Sequence, residues 1–320
     1  MRVLVLHSDV PDGAPPDEID TLLAAGAVAE ALKACGHEVL LAPFRPDPES
    51  VATLLAALSP GCVFNLVDSV FGQGNIADLA PAMLELRGVA HTGATAAAIA
   101  VAADKPLTKR ILRAAGLPTP DWSEPPAWHG VTGGARYVVK SATEDASLGL
   151  DDASVVTGLE AVRARAQWCS ARHGGRWFAE AYLPGREFNI AILEHQGVPL
   201  VLPAAEMHFR NWQSDRPRIV GYAAKWLPES PESIGTARSF DLQGEGALCD
   251  RMAALARDAW QLFGLRGYAR VDFRLDGAGG PMILEINPNP CLEPSAGFAA
   301  AALEAGISYP QLIDRVLRTV

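Results

Sequence analysis

Two carboxylates and an amide oxygen fall where a β-hairpin would bring them together. In Tyr268-Ala269-Arg270-Val271-Asp272-Phe273-Arg274-Leu275, apolar side chains alternate with Arg270, Asp272 and Arg274. Strand pleating puts successive side chains on opposite faces, so one face is dry and the other polar. Asp276-Gly277-Ala278-Gly279-Gly280 then supplies turn residues, and Met282 to Asn287 alternates again, placing Glu285 beside Asn287. If both dry faces meet one core, Asp272, Glu285 and Asn287 converge beside Arg270. Hard oxygen ligands of this kind suit Mg²⁺, with Mn²⁺ as a substitute ion, held partly by the phosphates of a nucleotide. Asn287-Pro288-Asn289-Pro290 closes the strand, because proline cannot continue the ladder.

The elements that must carry this hairpin follow from the rest of the chain. At 320 residues the length predicts more than one domain. Hydrophobic residues make up 49% and charged residues 20%, as expected of a globular, core-forming chain. The net charge of −10 argues against nucleic acid as a partner, while leaving room for a locally basic cleft that binds ATP. Five scattered cysteines without a CxxC pair argue for reduced thiols in the cytoplasm. The apolar opening Val3–Leu6 is too short for a membrane span and reads as a first strand.

Strands near Val3–Leu6, Val39–Leu41 and Val63–Val67, separated by helices at 22–33 and 51–58, predict a parallel α/β domain over 1–95, with the intervening loop running through Glu18. A helix from Asp104 to Ala115 stops at Gly116 before Leu117-Pro118, and strands at 137–140 and 177–182 flank a helix at 159–172. That pattern predicts an α+β unit over 96–183. The remaining 184–320 contains a strand at 188–193, a loop at 209–218, a helix at 247–263 and the acidic hairpin. Gly72-Gln73-Gly74 lacks the third glycine of a dinucleotide fingerprint and reads as a turn, and His7 and His91 read as structural.

The ordered set of Asp104-Lys105, Thr108-Lys109, Gly116-Leu117-Pro118-Thr119-Pro120, Arg270-Val271-Asp272-Phe273 and Leu284-Glu285-Ile286-Asn287-Pro288-Asn289-Pro290 resembles the D-alanine–D-alanine ligase group of ATP-grasp enzymes. Further matches at Phe64-Asn65-Leu66-Val67, Thr92-Gly93, Val138-Val139-Lys140 and Ala305 to Leu312 extend the resemblance over nearly the whole chain. It implies an ATP-grasp fold in which an N-terminal parallel α/β domain precedes two α+β domains that enclose ATP. It also implies Lys105 and Lys140 at the phosphates, and Glu180-Ala181-Tyr182-Leu183 as the linker that holds adenine. Glu187 would accept from the ribose hydroxyls, Ser147 would lie in a small-residue loop over the triphosphate, and Lys225 would face the phosphates from a mobile loop.

The implied reaction joins a small-molecule carboxylate to an amine, both from amino acids, through an acyl phosphate. Arg270 would stabilise the oxyanion formed when the amine attacks. A homodimer is a further family expectation.

The sequence departs from the family at the substrate end. Asp20 and Asp68 stand where the family has glutamate and histidine, Ala296 stands for a serine, and Cys291 for a glycine. Asp20 and Asp68 could face a substrate ammonium. Cys291 reads as an apolar filler rather than a nucleophile. Ala146 and Trp226 replace a serine and a tyrosine whose hydroxyls help close the site, so that closure network is expected to be missing. These departures predict ligase chemistry on altered substrates. The alternatives are the orthodox D-alanine–D-alanine reaction and nucleotide binding without ligation.

Overall fold

The run Val3–Leu6 lies in β1 (Arg2–Ser8) and is buried at every position, because helices cover both faces of its sheet. In the computed structural model, which describes residues 1–320, β1 pairs in parallel with β2 (Glu38–Phe44) and β3 (Cys62–Leu66), in the order β2-β1-β3. Helix α1 (Pro16–Ala34) packs Val28, Ala29 and Leu32 against Val3 and Val5. On the other face, α2 (Pro48–Leu58) and α3 (Leu79–Leu86) bury Val51, Ala80 and Leu84 with Leu4 and Leu6. Helix α1 starts at Pro16, so the expected loop through Glu18 is corrected. Proline at the helix start and Asp17 and Glu18 in the first turn suit a helix N-terminus.

Asp104 ends α4 (Ala96–Ala103) and caps α5 (Lys105–Ala114), accepting from the Leu107 N–H at 2.9 Å. Ala98, Ile99 and Leu112 from these helices join the core of the large sheet described below. An antiparallel sheet follows from β4 (Trp122–Ser123), β5 (Arg136–Ser141), β6 (Val155–Thr157) and β7 (Trp177–Ala181), in the order β4-β7-β5-β6. Helix α6 (Leu159–His173) covers it through Val162, Ala166 and Cys169.

The third sheet runs β11-β10-β8-β12-β13, with β9 attached to β8. Its members are β8 (Glu187–His195), β9 (Val198–Val201), β10 (Ala205–Phe209), β11 (Thr236–Ser239), β12 (Tyr268–Leu275) and β13 (Pro281–Asn287). Two short helices, α7 (Tyr222–Trp226) and α8 (Pro231–Gly235), lie between β10 and β11. Helix α9 (Gly246–Leu262) buries Met252, Ala256 and Ala259 with Phe188, Val271 and Phe273 on one face of the sheet. The other face bounds the cleft. Helices α10 (Gly297–Glu304) and α11 (Tyr309–Leu317) return to the first sheet, where Leu312, Ile313 and Val316 share a core with α1. No helix is long and apolar enough to cross a membrane.

The hairpin forms as expected, with one correction. Val271, Phe273 and Leu275 are buried, but β13 does not alternate strictly, because a bulge interrupts the register beside Leu284. Ile283 and Ile286, three residues apart, therefore both reach the core. Glu285 and Asn287 still emerge on the cleft side.

Candidate active site

A cavity of about 790 Å³ opens between the loops of the first sheet, the four-stranded sheet and the six-stranded sheet. Every residue given a catalytic, nucleotide, metal or substrate role from the sequence lines it. They come from stretches far apart in the chain that the fold alone brings together.

At the hairpin, Asp272 lies opposite Glu285, and Arg270 opposite Asn287. Arg270 holds Asp272 in a two-pronged contact, Nε to Oδ1 at 2.7 Å and Nη2 to Oδ2 at 2.8 Å. Asn189, directly across on β8, donates to the same Oδ1 at 2.8 Å. The Glu285 carboxylate accepts no hydrogen bond within the chain. Burial alone would raise its pKa, but Lys105, Lys140, Lys225 and Arg270 hold it well below the usual carboxylate range. Asn287 accepts from the Asn289 N–H at 2.9 Å and keeps further acceptor capacity on its amide oxygen. An ionised free carboxylate, a fixed carboxylate and an amide oxygen fit the small number of protein ligands that Mg²⁺ takes beside phosphates.

Helix α5 presents Lys105 and Lys109, four residues apart, on one buried face. Lys105 donates to the Glu144 carbonyl at 3.0 Å and to Asp145 at 2.6 Å. Burial opposes its charge, but Asp145, Glu285 and Glu144 outweigh it and raise the pKa. Lys140 on β5 bonds Glu180 at 2.9 Å. The other oxygen of Glu180 pairs with Lys109, whose ammonium also donates to Thr119 at 3.0 Å. One carboxylate is thus shared by two ammoniums. Glu180 stays ionised despite its burial because of both lysines, while the fully buried Lys109 is lowered to about 8 by burial and by Lys140. Lys225 makes no ion pair; crowding by the surrounding protein and the nearby Arg270 lower its pKa.

The Glu180 side chain therefore points into this triad, and the following backbone faces the cleft. The Ala181 and Tyr182 N–H groups are satisfied by Asp121 and Arg136 carbonyls, whereas the Leu183 N–H has no acceptor within the chain. Glu187 pairs with the buried Arg274 at 3.2 Å, and its pKa is raised because burial outweighs that arginine. Arg274 also bonds the carbonyls of Gly185 and Arg218, which fixes the turn after the linker.

The small-residue loop carries Ala146 and Ser147 in left-handed conformation, φ 55° and 60°, with N–H groups that have no acceptor within the chain. The missing closure network is corrected here. Trp226 Nε1 donates to the Ala146 carbonyl at 2.9 Å, and Ser147 Oγ to the Val220 carbonyl at 2.9 Å. The Tyr222 N–H reaches the Leu150 carbonyl, and Tyr222 Oη reaches Asp17 on α1 at 2.7 Å. An indole N–H does not need a hydroxyl partner, so a backbone carbonyl serves instead.

At the other end, Asp68 accepts from Ser8 Oγ at 2.7 Å and from the Thr21 hydroxyl. Burial raises its pKa against those bonds. Cys291 Sγ donates to Asp20 at 3.0 Å, so Cys291 is a polar contact rather than an apolar filler. Burial and the Asp20 charge push its thiol far up, against a thiolate at neutral pH. Asp20 itself is raised by burial. Ala296 is the uncapped residue that precedes α10. His91 is buried against Arg266, His7 bonds the Ser8 carbonyl, and Gly72 sits in a turn at φ 71°.

Asn189, Lys109 and Arg238 were missed. Asn189 is two residues from Glu187 on a strand, so alternation could have found it. Lys109 repeats Lys105 at helical spacing. No sequence signal marks Arg238, which lines the cleft from β11.

Residues 133–318 match the family model described as the D-ala D-ala ligase C-terminus. A D-alanine–D-alanine ligase of Moorella thermoacetica is 31% identical over 99% of this chain and 98% of its own. One from Synechococcus is 31% identical over 91% of this chain and 86% of its own. The solved D-alanine–D-alanine ligase of Bacillus anthracis, complexed with ATP, superposes with a TM-score of 0.76 at 19% identity, covering 100% of this chain and 97% of that one. The chain belongs to the D-alanine–D-alanine ligase family, ATP- and Mg²⁺-dependent enzymes of ATP-grasp fold that form carbon–nitrogen bonds.

Proposed function

We propose that this protein joins an amino-acid carboxylate to the amine of a second amino acid through an acyl phosphate, with a substrate pair other than two D-alanines. The observation that carries the ligase reading is the convergence of Glu285, Asp272 and Asn287 with Arg270, Lys105, Lys140 and Lys225 in one cleft. Bound there, Mg²⁺ would neutralise phosphate charge and align the transferring group. Lys105 and Lys140 position the phosphates, with Lys225 facing them from its loop. Leu183 offers its N–H to adenine at the end of the Glu180-Ala181-Tyr182 linker, and Glu187 accepts from the ribose.

A carboxylate oxygen attacks the γ-phosphorus and ADP departs. The amine nitrogen then attacks the acyl phosphate carbonyl, phosphate leaves, and the nitrogen gives up a proton. Arg270 stabilises the oxyanion between these events. Asp20 and Asp68 provide the negative charge that a substrate ammonium requires, and this acidic end supports the altered-substrate reading.

A second reading, the orthodox reaction, is favoured by the names of the relatives from Moorella and Synechococcus. Incubation with Mg²⁺-ATP and a panel of D- and L-amino acids, singly and in pairs, decides between them through ADP release and product mass. A different condensed product is expected; fast formation of D-alanyl-D-alanine from D-alanine alone would overturn the altered specificity. Tight ATP binding without turnover on any pair would favour a binding-only protein. The further proposals are domains at 1–95, 96–183 and 184–320, a homodimer, and a cytoplasmic location.

A further inference from the structure

We infer that Lys109 is a positioning residue that ties the strand carrying Glu285 to the linker that begins at Glu180, so that the two ends of the nucleotide site keep one spacing. The inference rests on the reading of the cleft as a Mg²⁺-ATP site. Lys109 does not line the cleft; it lies behind it, fully buried, about one helical turn after Lys105 on α5. Strand β13 is the last of its sheet, and no strand pairs with its outer edge. The chain that follows α5 takes up that edge instead. The Ile283 N–H donates to the Pro118 carbonyl at 2.8 Å, and the Thr119 hydroxyl donates to the Ile283 carbonyl at 2.8 Å. The bulge leaves Leu284 without a partner on β12, and its carbonyl accepts from Lys109 Nζ at 3.4 Å.

An ammonium has three N–H donors, and the three acceptors around Lys109 are a Glu180 oxygen, Thr119 Oγ1 at 3.0 Å and the Leu284 carbonyl. Each belongs to a different segment. Glu180 opens the linker whose Leu183 N–H faces the cleft, Thr119 lies in the Gly116–Pro120 stretch, and Leu284 immediately precedes Glu285. No other side chain bonds to both Glu180 and β13. Buried ion pairs contribute little to stability compared with apolar residues packed in their place, so what this pair adds is a fixed link between segments. Any shift of Leu284 carries Glu285 with it, and any shift of Glu180 carries the linker. The helix that brings Lys105 to the phosphates therefore also holds the adenine and metal ends in register, through a lysine that touches neither ligand.

The test separates spacing from stability. A variant that only folds less well loses active protein, which lowers apparent kcat and leaves the Kd for Mg²⁺-ATP of the folded fraction unchanged. Lys109→Met should instead raise that Kd about tenfold by titration calorimetry, and lower kcat about a hundredfold with the best substrate pair of the panel. Thr119→Val keeps the volume but removes the hydroxyl shared by Lys109 and the Ile283 carbonyl. It should raise the Kd about threefold, and Thr119→Ser should restore it. A wild-type Kd in folded Lys109→Met would overturn the assignment, as would a wild-type Kd in Thr119→Val should Lys109→Met fail to fold. Thr119→Ser binding as weakly as Thr119→Val would overturn it too. Wild type that does not bind Mg²⁺-ATP at all would mean that the reading of the cleft itself has failed, and this inference with it.

Discussion

The two ends of the cleft are built differently. At the phosphate end Glu285 and Lys225 are left open for the nucleotide, and the charges around them are held by buried partners on adjacent strands and one helix: Asp272 by Arg270 and Asn189, Glu180 by Lys109 and Lys140. At the substrate end, Asp20, Asp68 and Cys291 come from a helix and two loops far apart in sequence, and Arg238 has no partner at all. A site that must present the same charges to the same triphosphate can be fixed in advance. A site that sets specificity is assembled from loops and a helix, whose side chains can change without disturbing the strands that hold the phosphate end.

If that contrast holds, changes at the phosphate end should cost turnover and those at the other end should redirect it. The largest effect is expected for Glu285→Gln, which removes the one cleft carboxylate left free at the hairpin. Turnover measured as ADP release should fall about a thousandfold with the fold intact. Activity near wild type would show that Glu285 is dispensable and that the phosphate end is not rigidly committed.

Lys109→Met tests the buried triad. Removing one partner of a buried pair should destabilise the protein by about 3–5 kcal/mol in urea unfolding. The pH dependence has a definite sign. Lys109 releases its proton near 8 when folded but near 10.5 when unfolded. Between those values the unfolded state binds more protons, so the contribution of this group to stability grows as pH rises. The variant should lose that rise, and an unchanged pH profile would remove Lys109 from the account.

Arg270→Ala should lower turnover by about 3 kcal/mol in barrier, through loss of one oxyanion donor. Wild-type turnover in this variant would leave Arg270 with only its Asp272 contact. The smallest effect is expected for Trp226→Phe, which deletes the indole bond to the Ala146 carbonyl. Loss of about 1 kcal/mol should loosen loop closure and raise the KM for ATP about fivefold. A larger loss would mean that the clasp organises more of the cleft than its bonds suggest.

The legibility of the site follows the same division. The acidic hairpin could be read because strand alternation is a local property, and Asp272, Glu285 and Asn287 lie within one strand pair. The bulge beside Leu284 could not, since it answers to where Ile283 and Ile286 find room in the core. The Trp226 clasp was likewise unreadable: comparing side chains shows which hydroxyl is lost but not which backbone carbonyl will replace it. Arg238 lay on a short strand with no pattern of its own.

What the sequence determined by itself was the set of elements and the chemistry of the phosphate end, because periodicity, caps and turn residues act within a few positions. Tertiary structure decided which side chains were left unpaired. The sharing of Glu180 by two lysines, the thiol on Asp20 and the open guanidinium of Arg238 all depend on distances between residues far apart in the chain, and only packing fixes those.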